Sequence, residues 1–433
     1  FLQYFLTLCI RASSPAEEGR DGAEEEEEEG GRDGAFGAAT AQRWIDRLTY
    51  EMVELGNESI EINSDCYSMV SWAWAKSRSP RAEAQCQSIL DTILSLEKDH
   101  PRLKIHPTTM ACNAVLLCLQ RGRYGSSRPQ RSLDILDIMH ERFLQRHIRA
   151  AMPNSFTYCS VVTSLTRFGR AGGEAANAAT DILDDLKLLH ATGRTPVSPD
   201  TVLYNTVINA WVKSRSPEGP RNIERLLGEM ERLLEGGRRD VGPDAVTYSM
   251  VINGHMAYSD GKGAVDQIKA TIDRMNRVYE RTGEEQIRPI TKHYNLLLHA
   301  IAISGARDCG PKAMQVLDFM ERSYLDGIDE GLRPDSKTYT SVINAFARTG
   351  GKGAGKSAET LLRKMDQLAE LGHEDLRPNL VTYNTVINAL SKSNEANAAQ
   401  RAQKILDTLQ QKYMKGEKHL KPDTLTCSSV INA

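Results

Sequence analysis

The residues in this chain best suited to chemistry are carboxamides and cations that return in a fixed register. Let the residue after a recurrent Pro-Asp pair be position 1. Position 9 is then Asn209, Asn253, His299, Asn344 and Asn388 in five successive segments. Position 13 is Lys76, Arg121, Arg167, Lys213, Arg348 and Lys392 in six of eight segments, with Ala257 and Ile303 breaking the series. Cations at a constant interval suit a polyanion whose charges are evenly spaced, and amides suit base edges because they both donate and accept. One such helix says little, since an exposed face is polar and a terminal cation answers the helix dipole. Six recurrences in phase point to a nucleic-acid face. Other chemistry lacks its residues. No Ser/His/Asp or paired-carboxylate constellation is recognisable, so no catalytic residue is expected. The eight cysteines include no C-x-x-C and the ten histidines no H-x-x-x-H. Neither a metal site, a disulfide framework nor a cofactor is indicated.

The elements that must position these residues form a repeat. The stretch Pro199 to Trp211 returns in variants, and units begin at Ser64, Thr109, Ser155, Thr201, Ala245, Thr291, Ser336 and Leu380, spaced by 44 to 46 residues. A ninth begins at Thr424 and is cut off at Ala433. Each unit reads helix, Gly/Ser-rich turn, helix, charged loop. In the fourth, a first helix over about 202–213 precedes breakers around Pro217 and Pro220. A second helix then carries Ile223, Leu226, Leu227, Met230 and Leu234 at amphipathic spacing. One hairpin cannot cover its own apolar stripe, but stacked neighbours can. The expected fold is all-α, an α-solenoid of helix-turn-helix repeats in a right-handed superhelix. On the first helix, positions 4, 7, 8 and 11 (Tyr204, Val207, Ile208, Trp211) share the packing face. Positions 2, 5, 9 and 13 are expected to face outward.

The net charge of -3 averages two unlike segments. Residues 13–34 carry ten acids against two arginines, and the chain from Ala35 onward is mildly positive. Residues 1–40 are expected to be a disordered acidic segment, because they cannot bury enough surface to offset ordering entropy. Residues 41–63, with Trp44, Leu48, Met52 and Leu55 at helical spacing, are expected to be the second helix of a partial repeat; eight repeats follow over 64–423, with the truncated ninth at 424–433. Without an initial Met, and with an end inside a repeat, the chain is expected to be part of a longer product. Its first ten residues are apolar but too short to span a membrane. Gly350 to Ser357 satisfies G-x-x-x-x-G-K-S. It follows a helix rather than a buried strand, so it reads as an inter-helix turn and not a phosphate loop. Asn57-Glu58-Ser59 is a glycosylation sequon with nothing else to suggest secretion.

The repeat starts resemble those of the pentatricopeptide repeat family, whose signature is close to P-D-x-V-T-Y-N-T-L-I. The match is specific at Asp200 to Ile208, Asp244 to Ile252, Asp335 to Ile343, Asn379 to Ile387 and Asp423 to Ile431, and extends over about 370 of the 433 residues. The repeats here are longer than the family's. The resemblance implies binding of single-stranded RNA, one base per repeat, in a mitochondrion or chloroplast, in RNA processing, stability or translation. It implies that position 5 and the last residue before the next repeat meet the base edge. The corresponding residues are Asn113 with Asn154 (pyrimidine, cytidine favoured), Asn205 with Asp244, Asn295 with Asp335 and Asn384 with Asp423 (uridine), and Thr340 with Asn379 (adenine). Ser68 with Thr108, Cys159 with Asp200, and Ser249 with Ile290 depart from the usual pairs and are left unread. From the second repeat onward the implied target is Y-x-U-x-U-A-U. Position 2 is implied to wedge beside the base, at Val202, Val246 and Val381, while Lys292 and Lys337 stand there elsewhere. Position 13 is implied to approach phosphate. Two alternatives stay open: a protein-binding scaffold like a tetratricopeptide array, whose period is about 34 residues, and an RNA-processing enzyme with its catalytic domain beyond Ala433.

Overall fold

The computed structural model describes residues 26–57, 59–122, 128–168, 173–259, 261–351, 353–393, 395 and 397–433. Among them every regular element is helical. The chain divides into two compact units, one ending at Ser214 and the other beginning at Arg215. The first unit holds α1 (Glu26–Val53), α2 (Ser64–Lys76), α3 (Ala82–Asp99), α4 (Thr109–Arg121), α5 (Arg128–His140), α6 (Ser155–Phe168), α7 (Gly173–Ala191) and α8 (Thr201–Ser214). The second holds α9 (Gly219–Glu235), α10 (Ala245–Tyr258), α11 (Gly261–Thr282), α12 (Thr291–Ile303), α13 (Cys309–Leu325), α14 (Ser336–Thr349), α15 (Ala354–Glu370), α16 (Leu380–Lys392), α17 (Ala398–Met414) and α18 (Thr424–Ile431).

Within each unit the first helices of successive repeats stack, α2 on α4 on α6 on α8, and α10 on α12 on α14 on α16 on α18. Each second helix packs against the first helix of the next repeat, as α13 does on α14 and α15 on α16. This is the solenoid arrangement that the periodicity demands. The anticipated packing face is buried: Tyr339, Val342 and Ile343 in α14 and Tyr383, Val386, Ile387 and Leu390 in α16 are almost wholly enclosed. Close approach constrains the start of the second helix. A Cβ on Gly310 would lie 2.5 Å from the Phe346 ring of the next repeat.

Two features lengthen the repeat. The loop before each Pro folds into a short 3-10 turn that inserts one apolar residue into the core: Val241, Ile287, Leu332, Leu376 and Leu420 in the second unit. The inter-helix turn uses left-handed glycines where needed, as at Gly350 (φ 59) and Gly353 (φ 94). Here the Glu395 carboxylate of the following repeat accepts from the backbone N–H groups of Gly353 and Gly355, both at 3.0 Å. The protein's own acid fills the anion nest that the glycine-rich motif creates.

A polar seam runs along the second helices. The acid at position 31 accepts from the buried Tyr at position 4 of the next repeat and also pairs with a cation on the next second helix. Tyr248 Oη donates to Glu231 at 2.8 Å and Arg274 pairs with Glu231 at 2.6 Å. Tyr339 Oη donates to Glu321 at 2.7 Å and Lys364 pairs with Glu321 at 2.7 Å. Tyr383 and Lys412 meet Asp366 in the same way. Burial, and then the neighbouring carboxylate, push the Tyr248 and Tyr339 phenols well above the ordinary tyrosine value, so they remain donors.

The N-terminal expectation needs correction. Helix α1 begins at Glu26, so residues 26–40 are helical rather than disordered, and the remaining 1–25 lie outside the described residues. Its buried stripe is Ala38, Ala41 and Ile45, while Trp44 and Leu55 are exposed. The docking stripe onto α2 therefore starts upstream of Ala41 and carries the helix with it.

Replacing Glu321 by Ala should strand the buried Tyr339 hydroxyl and one cation. Since a hydrogen bond to a charged group contributes about 1.5–3 kcal/mol, the loss should be of that order. Chemical denaturation followed by circular dichroism measures it; an unchanged midpoint would show that the seam contributes nothing.

Candidate nucleic-acid interface

The candidate base-reading residues meet at the junctions between repeats, and the reason is helix capping. Except at Ile290, the last residue before a repeat is the N-cap of the first helix, its side chain accepting from the position-3 N–H. Asn154 accepts from Thr157 at 3.0 Å, Asp200 from Leu203 at 2.9 Å, Asp244 from Thr247 at 2.7 Å and Asp335 from Thr338 at 2.8 Å. Asn379 accepts from Thr382 at 3.0 Å and Asp423 from Thr426 at 2.8 Å. The recurrent Pro-Asp is thus a helix-start signal.

Position 5 of the preceding repeat enters the same cluster. Asn295 Nδ2 donates to Asp335 Oδ1 at 3.1 Å, and Thr338 Oγ1 donates to Asn295 Oδ1 at 2.8 Å. Asn384, Asp423 and Thr426 repeat the pattern at 3.3 and 2.7 Å. Asn113, Asn154 and Thr157 do so at 3.3 and 2.8 Å. Thr340 instead meets the Thr382 hydroxyl at 3.0 Å. In the Asp335 and Asp423 clusters the position-5 amide and the position-3 backbone N–H both donate to Oδ1, with the threonine hydroxyl oxygen 2.9 and 2.7 Å from it. Oδ2 is left over on each carboxylate, and one N–H on each partner amide. At Asp423 the Thr426 hydroxyl, followed by its backbone N–H, holds the carboxyl below its ordinary value, so it stays an acceptor.

These contacts change the expectation that positions 2, 5, 9 and 13 all face outward. Asn113, Asn205, Ser249 and Asn384 are at least nine-tenths buried, and over Asn113 and Asn384 the next repeat's cap and position-3 residue close. Cys159 is half-buried beside Asp200; burial, and then that carboxylate, push its thiol up to about 11. Position 2 is exposed: Val202, Val246 and Val381 are 61, 45 and 63% accessible. Met110, Phe156 and Leu425 occupy the same position and are also exposed, extending the apolar series beyond the valines. Their register in the sequence could have found them. All six position-13 cations are exposed. Two have structural duties as well, since Arg121 donates to the Ala75 carbonyl at 2.8 Å and Arg167 to the Gln120 carbonyl at 2.7 Å, each at the helix end of the preceding repeat.

In the second unit the positions converge on one open groove of about 740 Å³. Lys292, Lys337 and Val381 at position 2, Asn295 and Thr340 at position 5, Asn344 at position 9, and the caps Asp335 and Asn379 all line it. Three successive repeats therefore contribute equivalent atoms to a single surface.

The junction at Ile290 is built differently. Isoleucine cannot cap, and His293 stands where other repeats have Thr. Its Nδ1 accepts from the Ile290 N–H at 3.1 Å, while Nε2 lies 2.9 Å from the Ala245 carbonyl and 3.2 Å from Ser249 Oγ. That arrangement needs the neutral Nε2–H tautomer, and it explains why Ser249 with Ile290 fits no usual pair. Burial lowers the His293 pKa below its ordinary value of 6.5, opposed by the Ala245 carbonyl.

Among comparisons with known proteins, residues 326–393 match the family model described as pentatricopeptide repeat domain. No curated protein matches. Two crystal structures of the pentatricopeptide repeat protein PPR10 in complex with an 18-nt psaJ RNA element, one of them a triple-cysteine variant, are similar at 19% identity and a TM-score of 0.37. The match covers all of this chain and 59% of theirs. Among the described residues no helix is long and apolar enough to cross a membrane.

The His293 geometry predicts a pH dependence. A histidine whose folded pKa is depressed costs nothing above the unfolded value. It destabilises as pH falls below about 6.5, because the unfolded chain takes up the proton first. His140 and His255 are lowered by burial as well and add to the slope. Unfolding midpoints should fall between neutral and mildly acidic pH, and His293→Asn should flatten that fall. An identical slope in the variant would remove His293 from the account.

Proposed function

We propose that this pentatricopeptide repeat protein binds single-stranded RNA along the groove lined by positions 2, 5 and 9 and the caps, one base per repeat. The supporting observation is the spare hydrogen-bonding capacity at the Asn295–Asp335, Asn384–Asp423 and Thr340–Asn379 junctions. The Asn295–Asp335 and Asn384–Asp423 clusters have an amide N–H and a carboxylate Oδ2 left over. A donor beside an acceptor complements the uracil edge, where O4 accepts and N3–H donates. At Thr340–Asn379 the cap amide uses its oxygen to hold Thr382. It keeps an N–H for an acceptor such as adenine N1. The exposed apolar residues at position 2 offer a surface for the base faces, and the position-13 cations offer charge to the backbone. The reading is of a binding protein without catalysis of its own, acting in organellar RNA processing, stability or translation, as the family resemblance implies.

The test is equilibrium binding of a labelled RNA carrying Y-x-U-x-U-A-U, against one with every U changed to A, at two salt concentrations. The U-bearing RNA should bind more tightly, and both affinities should fall with salt. Equal affinity for the two RNAs, or none for either, overturns the reading. Asp335→Asn is the sharper variant. It preserves the cap, because Asn and Asp cap about equally, but exchanges the outward acceptor for a donor. Preference for U at the fifth nucleotide should drop by about 1–3 kcal/mol, with helix content unchanged. Lys392→Ala should weaken all RNAs alike and reduce the salt slope by about 1.

A further inference from the structure

A second cavity, also of about 740 Å³, lies in the first unit and is lined by Arg78, Glu83, Cys118, Arg121 and Arg128 among others. Cys118 belongs to α4 and is 6% exposed. Directly behind it, Cys86 of α3 is fully buried, with its Sγ 3.7 Å from that of Cys118 and 3.2 Å from the Ser71 carbonyl. Both thiols are free, and they belong to adjacent repeats. The two sulfurs are in van der Waals contact, so a bond of about 2.05 Å needs an approach of less than two ångströms. The Arg128 guanidinium is nine-tenths buried. Its Nη2 pairs with Glu83 at 2.7 Å, while its Nη1 has no hydrogen-bond partner. An unpartnered buried guanidinium nitrogen is costly, and a carboxylate entering the cavity would satisfy it.

We infer that Cys118 and Cys86 form a thiol–disulfide exchange site, in which an anionic low-molecular-weight disulfide such as glutathione disulfide oxidises the pair to an inter-repeat disulfide. The Cys118 thiolate attacks one sulfur of the small disulfide. That S–S bond breaks, a bond to Cys118 Sγ forms, and the departing thiolate takes the proton that Cys118 gave up. Cys86 then loses its proton as its sulfur attacks Cys118 Sγ, and the second small thiolate leaves with that proton. The protein loses two protons and two electrons, and the small disulfide becomes two thiols. The attacking order follows from the surroundings. Cys118 lines the cavity beside Arg121 and Arg128, whereas Cys86 is fully buried behind it and is reached only through Cys118. The product ties α3 of one repeat to α4 of the next.

The experiment incubates the reduced full chain with glutathione disulfide and follows intact mass and non-reducing peptide maps, with circular dichroism as the check on folding. Wild type should lose two hydrogens and give a Cys86–Cys118 cross-linked peptide. Cys86→Ser should accumulate a single glutathione on Cys118, and Cys118→Ser should leave Cys86 unmodified. Cys112, buried and pushed up to about 12, is the internal control and should stay unreacted. Arg128→Gln should slow the reaction more with glutathione disulfide than with neutral hydroxyethyl disulfide. The proposal fails if the exposed Cys427 is modified while Cys118 is not, or if Cys86 reacts without Cys118. Equal slowing by the two reagents in Arg128→Gln would overturn the recognition of an anion.

Discussion

The arrangement depends on one short-range interaction, the side-chain cap at the start of each first helix. Four backbone N–H groups at a helix start lack partners within the helix, and the residue before position 1 supplies an oxygen to one of them. Here that oxygen does more. In three junctions it also accepts from the amide at position 5 of the preceding repeat, and the position-3 threonine hydroxyl closes the ring. A local device that starts a helix is therefore also the polar register between repeats. It fixes which atoms of the Asn295, Asp335, Asn384 and Asp423 side chains are spent between repeats.

A second seam works on the far side of the first helices. The Tyr–acid–cation clusters at Glu231, Glu321 and Asp366 align each second helix with the next repeat. Between the two seams lies the apolar face, which supplies adhesion without direction. The polar seams supply the direction, because a hydrogen bond tolerates less displacement than a methyl contact. The His293 junction keeps a bond network when the cap residue is Ile290, which shows the same requirement met by a different side chain.

Much of this was legible. The period, the two helices per unit and the buried Tyr, Val and Ile of the first helix follow from spacing alone, because helical geometry converts spacing into faces. The exposure of the position-13 cations was legible for the same reason. The burial of position 5 was not. A helical wheel treats a helix as isolated, and the side that looks free at Asn384 is covered by Asp423 and Thr426 of a neighbour. Nor did the wheel show that residues 26–40 join a helix, which buries Ala38 and Ala41 where it packs on α2.

The sequence by itself determined the unit, its length, its helix starts and the identity of the residues in each register, since these depend on contacts a few positions apart. Only the tertiary structure decided which oxygen and nitrogen atoms of those residues stay unspent. It also decided that Cys86 and Cys118, 32 residues apart, touch beside a cavity, and that the Glu395 carboxylate fills the glycine-rich turn. Those outcomes depend on how one repeat sits on the next. That stacking is set by summed packing and hydrogen bonding over whole helices, which no local pattern encodes.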